Sequence, residues 1–219
     1  MARRGGRKKG WAYHGKRVYR GGQSAAWMAG KALAGVNKVR KLINAEKKVL
    51  DINQDTTASS TQTIVPLSLV PLGDDYNQRT GRKVLSQSIY LNSQVKMNSS
   101  ATATTFRVIL FWDKDSDGEN VTSAELLQVA NDLQSPLNFT YAGSRFKILY
   151  DKYVDLSIDG QRVKTIRCFR KLWQHCTFLG DGSSTGSLGT GQVYMAFMSN
   201  ETTNVPDFQY YTRYRYTDN

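Results

Sequence analysis

Three stretches carry residue types and spacings that could do chemistry. The first, Asp113-Lys-Asp-Ser-Asp-Gly118, opens like a calcium loop, Asp-x-Asp-x-Asp-Gly. Ca²⁺ takes several hard oxygens in flexible geometry, so Asp113, Asp115 and Asp117 are its candidate ligands. The register then fails. The loop's twelfth position needs a bidentate Glu, yet Ala124 stands there and Glu125 comes one place late. The residues before the loop also read as a strand rather than a helix. The expectation is a solvated acidic turn, with calcium held between subunits as the alternative and no cofactor otherwise. The second stretch is His175-Cys176 with Cys168, three soft ligands lacking a fourth at zinc spacing. Adjacent residues on a strand point to opposite faces, so His175 and Cys176 make no nucleophile pair. The third, Gly180 to Gly191, is Gly-rich but lacks Gly-Lys-Ser/Thr and no helical pattern follows it. It reads as a surface loop. No carboxylate pair or Ser-His-Asp set stands out, and the expectation is a protein that is not an enzyme.

What the chain does offer is cations. The 219 residues carry a net charge of +12. Residues 1–50 hold 14 Lys and Arg against Glu46, and residues 51–219 hold 16 against 17 acids. A neutral body thus follows a basic tail, an asymmetry that points to nucleic acid or an anionic membrane. Within residues 1–22 the cations are Arg3, Arg4, Arg7, Lys8, Lys9, Lys16, Arg17 and Arg20, interleaved with Trp11, Tyr13 and Tyr19. Lys and Arg neutralise phosphates and aromatic rings stack on unpaired bases. The clusters Arg3-Arg4 and Arg7-Lys8-Lys9 also fit nuclear import. A second cluster, Arg162, Lys164, Arg167, Arg170 and Lys171, contains no acid. Arg162, Lys164 and Arg170 are placed on one strand face, continuing the arm's anion surface. The alternative is an exposed face paired with acids of neighbouring strands.

These residues need elements to position them. Met28, Ala32, Val36, Val39, Ile43 and Leu50 fall near a 3.6 period, which predicts an amphipathic helix over 24–50 with Ser24 as N-cap. Residues 51–62 are polar and aperiodic and read as a linker. The expected division is an arm, 1–62, and a body, 63–219. In the body, Thr105 to Trp112 is almost continuously apolar, as a strand covered on both faces must be. Further strands are expected at 63–72, 82–97, 145–154, 162–173, 175–179, 191–198 and 208–216, with a short helix at Ser123–Leu133. Eight strands with long loops predict an all-β, single eight-stranded jelly-roll sandwich. Two cysteines make no disulfide framework, so a reducing compartment is the default.

Several motifs occur in one order: Gly73 through Arg79-Thr-Gly-Arg-Lys83, Phe106-Arg-Val-Ile-Leu-Phe-Trp-Asp113, a turn ending in Gly118, Glu125-Leu-Leu127, and Arg145-Phe-Lys-Ile-Leu-Tyr-Asp-Lys152. That order, behind a basic arm, resembles the capsid proteins of circular single-stranded DNA viruses that encode a replication initiator, the circovirus-like group. The resemblance implies a virion protein that self-assembles into a small icosahedral shell of about sixty copies. It implies packaging of a single-stranded circular DNA genome by the arm, import into the host nucleus by the import machinery, and a host receptor of unknown identity. Two alternatives stand beside it. One is the capsid of a small single-stranded RNA virus, since stacking and phosphate contacts serve both nucleic acids. The other is a cellular nucleic-acid-binding β-sandwich that does not assemble. A metal enzyme of cupin type would want several His, and the body has only His175.

Overall fold

Alternation of apolar and polar residues builds nearly all of the body. The structure, a computed structural model, describes residues 25–42, 46–116 and 118–218. It falls into two units that divide between Asn44 and Ala45. The first contains α1 (Ala25–Leu42), rich in alanine, the best helix former. The second contains strands β1 (Glu46–Thr57), β2 (Thr63–Pro66), β3 (Lys83–Lys96), β4 (Ala103–Asp113), β5 (Phe146–Ser157), β6 (Val163–Thr177), β7 (Gln192–Ser199) and β8 (Asp207–Asp218), with one short helix, α2 (Ser123–Leu126).

The strands pair antiparallel into two four-stranded sheets, β1-β8-β3-β6 and β2-β7-β4-β5. Strands distant in the chain alternate in each sheet, and this is the jelly roll that the strand count predicted. β4 lies between β7 and β5. Its Phe106, Val108 and Leu110 enter the core between the sheets, and Ile109 and Phe111 enter a second core on the other side. The Thr105–Trp112 run is therefore covered on both faces, as its composition requires. At the centre of the sandwich, the Phe208 ring lies 4.8 Å from Phe106 and from Phe197, tying β8 to β4 and β7. Each such buried side chain contributes roughly 1.5–3 kcal/mol.

The structure corrects the reading of residues 46–57. Residues 46–50, expected as the end of the helix, and 51–57, expected as linker, together form β1, while residues 43–45 lie outside the described residues. β1 is zipped along its length to β8, from Glu46 opposite Asp218 to Thr57 opposite Asp207. Lys48, Leu50 and Ile52 turn inward while Lys47, Asp51, Asn53 and Asp55 turn outward, a period of two hidden by the polar outer residues. The body consequently begins at residue 45 rather than 63. The expected strands at 162–173 and 175–179 are one strand, β6. Their apparent break is real but local: the register with β3 shifts at Ser86/Ser88, and Trp173 adopts a left-handed φ of 54°. The expected helix 123–133 shrinks to α2, because Leu127 leaves it extended to bridge Leu137 and Asn131 takes a φ of 58°.

Candidate nucleic-acid interface

The eight arm cations, Arg3, Arg4, Arg7, Lys8, Lys9, Lys16, Arg17 and Arg20, and the rings of Trp11, Tyr13 and Tyr19 lie outside the described residues. The second cationic cluster can be placed in detail. Its strand β6 is an edge of the β1-β8-β3-β6 sheet, and Arg162 immediately precedes it. Ile166, Cys168, Leu172 and Cys176 of β6 are buried in the core. By alternation, Lys164 and Arg170 share that inward parity, yet on this edge strand both are exposed. Arg170 reaches across to the opposite sheet, where its Nε donates to the Leu149 carbonyl at 2.6 Å. The outward parity instead carries Arg167, Phe169 and Lys171, and Trp173 stands exposed at the register shift that follows. Lys164 and Arg170 thus share one parity, as expected, and it is the parity of the buried Ile166 and Cys168, while Arg167 and Lys171 stand on the opposite one.

Among the described residues, none of these five cations forms an ion pair with a carboxylate. Arg162 Nε donates to the Ile158 carbonyl and Arg167 Nε to Asn92 Oδ1 at 3.2 Å. Beside Arg167 lies a shallow depression of about 330 Å³ whose lining includes Asn53, Asn92, Gln94, Gln209 and Tyr211. On the far side of the same sheet face, Asp51 takes both a 2.7 Å and a 2.6 Å bond from Arg213. Those bonds hold the Asp51 carboxyl below the ordinary carboxylate range.

The other candidates are disposed of by their surroundings. Asp113 has no exposed surface. Its Oδ1 and Oδ2 each accept from Arg145 at 2.9 Å, and Oδ1 also accepts from the Asp115 N–H. A carboxylate so engaged is not offered to Ca²⁺. Asp115 is exposed, Asp117 lies outside the described residues, and among the described residues no three ligating side chains converge. Arg145 also grips Glu125 at 2.6 Å, and Glu125 accepts the Thr122 N–H and hydroxyl. Burial pushes the Glu125 carboxyl up, but the Thr122 and Arg145 bonds win and its pKa is lowered. The acidic turn is therefore a clamp that joins the end of β4, helix α2 and the start of β5. Cys168 and Cys176 are separate buried thiols, and burial pushes the Cys176 thiol to about 12. The Gly-rich loop packs on β6. A Cβ at Gly191, where φ is +80°, would lie 2.2 Å from the His175 carbonyl, and one at Gly189 would lie 2.8 Å from that of Thr177. Gly189 and Gly191 thus serve close backbone approach.

Comparisons with known proteins add the family. The family model described as satellite tobacco necrosis virus coat protein matches residues 28–219. The capsid protein of satellite tobacco necrosis virus 1 is 29% identical over 181 residues, covering 81% of this chain and 91% of that protein. Among solved structures, Desmodium yellow mottle tymovirus aligns with 78% of this chain and 86% of its own at 8% identity and a TM-score of 0.37. Cucumber leaf spot virus aligns with 78% of this chain and 56% of its own at 14% identity and a TM-score of 0.27.

These findings correct the DNA-virus expectation, because satellite tobacco necrosis virus is an RNA virus. The motifs behind that expectation are structural. Arg145 to Lys152, for one, is the clamp residue followed by the first residues of β5, and so has a structural role in this chain. The nuclear-import reading rested on the same resemblance and on clusters outside the described residues. What remains is a capsid protein, and the chain belongs to the satellite tobacco necrosis virus coat protein family.

Proposed function

We propose that this chain is the coat protein of a small single-stranded RNA virus. Copies of the body join into a closed icosahedral shell, and the basic arm neutralises the packaged RNA. The role is structural rather than catalytic. One observation carries the reading: the family match spans 28–219, and so takes in the jelly roll whole. The charge distribution supports it. Lys and Arg displace counterions from phosphates without reading sequence, so an arm of this composition suits a genome of any sequence. A shell of about sixty copies, each with an N-terminal segment near +13, supplies on the order of 800 charges, matched to a genome of order a thousand nucleotides or somewhat more.

Electron microscopy with size-exclusion chromatography of full-length protein tests the assembly. Closed particles of uniform diameter are expected. A protein that stays a monomer or dimer across salt and pH, with or without RNA, would overturn the proposal.

A further inference from the structure

The two sheets are not equivalent on their outer faces. The outer face of β2-β7-β4-β5 is roofed by the chain itself: Ile109, Phe111, Tyr194, Ala196 and Met198 pack under Val121, Leu126, Leu127 and Leu133. The β1-β8-β3-β6 sheet has its core only on the inner side. Among the described residues of the body no second layer covers its outer face, and the residues there are not those of an ordinary solvated sheet. On β6 the outward positions before the register shift read Arg167, Phe169 and Lys171, and the exposed Trp173 follows at the shift itself. Phe169 is 48% exposed and Trp173 is 63% exposed. Neither ring meets another aromatic ring among the described residues. Trp173 is displayed from a left-handed backbone, a conformation that a bulky residue adopts only when its surroundings enforce it.

We infer that this half of the sheet is a second RNA-binding surface, which takes unpaired segments of the packaged strand. The inference rests on the coat-protein reading and adds a site on the body to the arm. Strand geometry sets alternate residues about 6.6 Å apart on one face, so Arg167, Phe169 and Lys171 line up in a row, with Trp173 beyond its end at the register shift. Arg167 and Lys171 meet phosphates while Phe169 and Trp173 stack on bases, a combination that tolerates any sequence. The amides of Asn92 and Gln94 line the depression beside Arg167 and can hydrogen-bond base edges. The charge argues for this occupant over a two-fold contact with a second copy of the chain. A two-fold contact would set Arg167 and Lys171 of one copy against the same cations of another, and like charges so placed are strongly unfavourable.

The test is photo-cross-linking of full-length protein to short oligouridylate carrying 4-thiouridine, followed by peptide mapping, with Arg167→Gln/Lys171→Gln as the variant. Adducts are expected at Phe169 or Trp173 as well as on the arm. The variant should lose the β6 adducts and keep those of the arm. Its log-log salt dependence should become shallower by about 1.4, two phosphate contacts on a single strand. Adducts confined to the arm, or an unchanged salt slope, would overturn the inference. So would RNA-free particles in which a protein cross-linker joins the β6 face to another copy, for that would make it a subunit contact. Closed particles are scored separately by microscopy. Their absence beside β6 adducts would count against the coat-protein reading, and their presence without β6 adducts against this surface alone.

Discussion

Replacing Arg145 by Met should be among the most damaging single changes in the body. The substitution keeps an unbranched side chain of similar length and removes only the charged fork. Asp113 is then left with no exposed surface and a single N–H donor, that of Asp115 at 3.1 Å. Breaking a buried ion pair by removing one partner costs about 3–5 kcal/mol. The Arg145 side chain is 18% exposed, so water can enter its place, and the low end, about 3 kcal/mol, applies. Glu125 also loses its 2.6 Å partner, which loosens the joint between α2 and β5. In a body of this size about 1 kcal/mol moves Tm by 2–4 °C, so a fall of about 6–12 °C is expected. The double variant Arg145→Met/Asp113→Asn removes the stranded charge and should recover about 2 kcal/mol of the loss. The assay is thermal and urea unfolding followed by circular dichroism, on unassembled protein at one concentration, because assembly adds stability by mass action. A loss below about 1 kcal/mol in the single variant, or a double variant no better than the single, would refute the clamp.

Three further outcomes follow from the same structure. Gly191→Ala should lower stability by at least about 1–3 kcal/mol, since the new Cβ would meet the His175 carbonyl at 2.2 Å in a left-handed backbone; an unchanged urea midpoint would contradict it. Cys176, fully buried with its thiol pushed to about 12, should resist a thiol reagent at pH 8 until the protein unfolds, and prompt labelling of the native protein would show the core to be open. Binding of RNA and of single-stranded DNA should weaken alike with salt, and Arg3→Gln/Arg4→Gln/Arg7→Gln should reduce the log-log slope by about 2 for both; a slope that ignores these residues would remove the arm from the interface.

The sandwich was legible because most strands alternate or are wholly apolar, and β4 could be placed at the centre from composition alone. The number of strands came out right through two offsetting differences. β1 was hidden because Lys47, Asp51, Asn53 and Asp55 give its outer side the look of a linker. β6 was split because Trp173 interrupts its pattern, and that interruption proved to be a local register shift. The roof over the second sheet was not legible. Its Leu126, Leu127 and Leu133 mimic a helical period, whereas the chain turns at Leu127 and Asn131 to cover β4. The cations of β6 and the shared parity of Lys164 and Arg170 were legible, whereas the core role of Ile166 and Cys168 on that same parity was masked by the charges around them. Arg145 was read only as part of a motif. Its partners Asp113 and Glu125 are 32 and 20 residues away, and no local pattern links them.

The most direct test of the account is the nucleic acid inside the particle. Full-length protein is assembled in cells, and the particles are purified, treated with nucleases and extracted. Closed shells holding protected nucleic acid that ribonuclease destroys and deoxyribonuclease leaves intact are expected. Protected DNA would contradict the RNA-virus assignment, and a protein that forms no particle able to protect nucleic acid would contradict the coat-protein function itself.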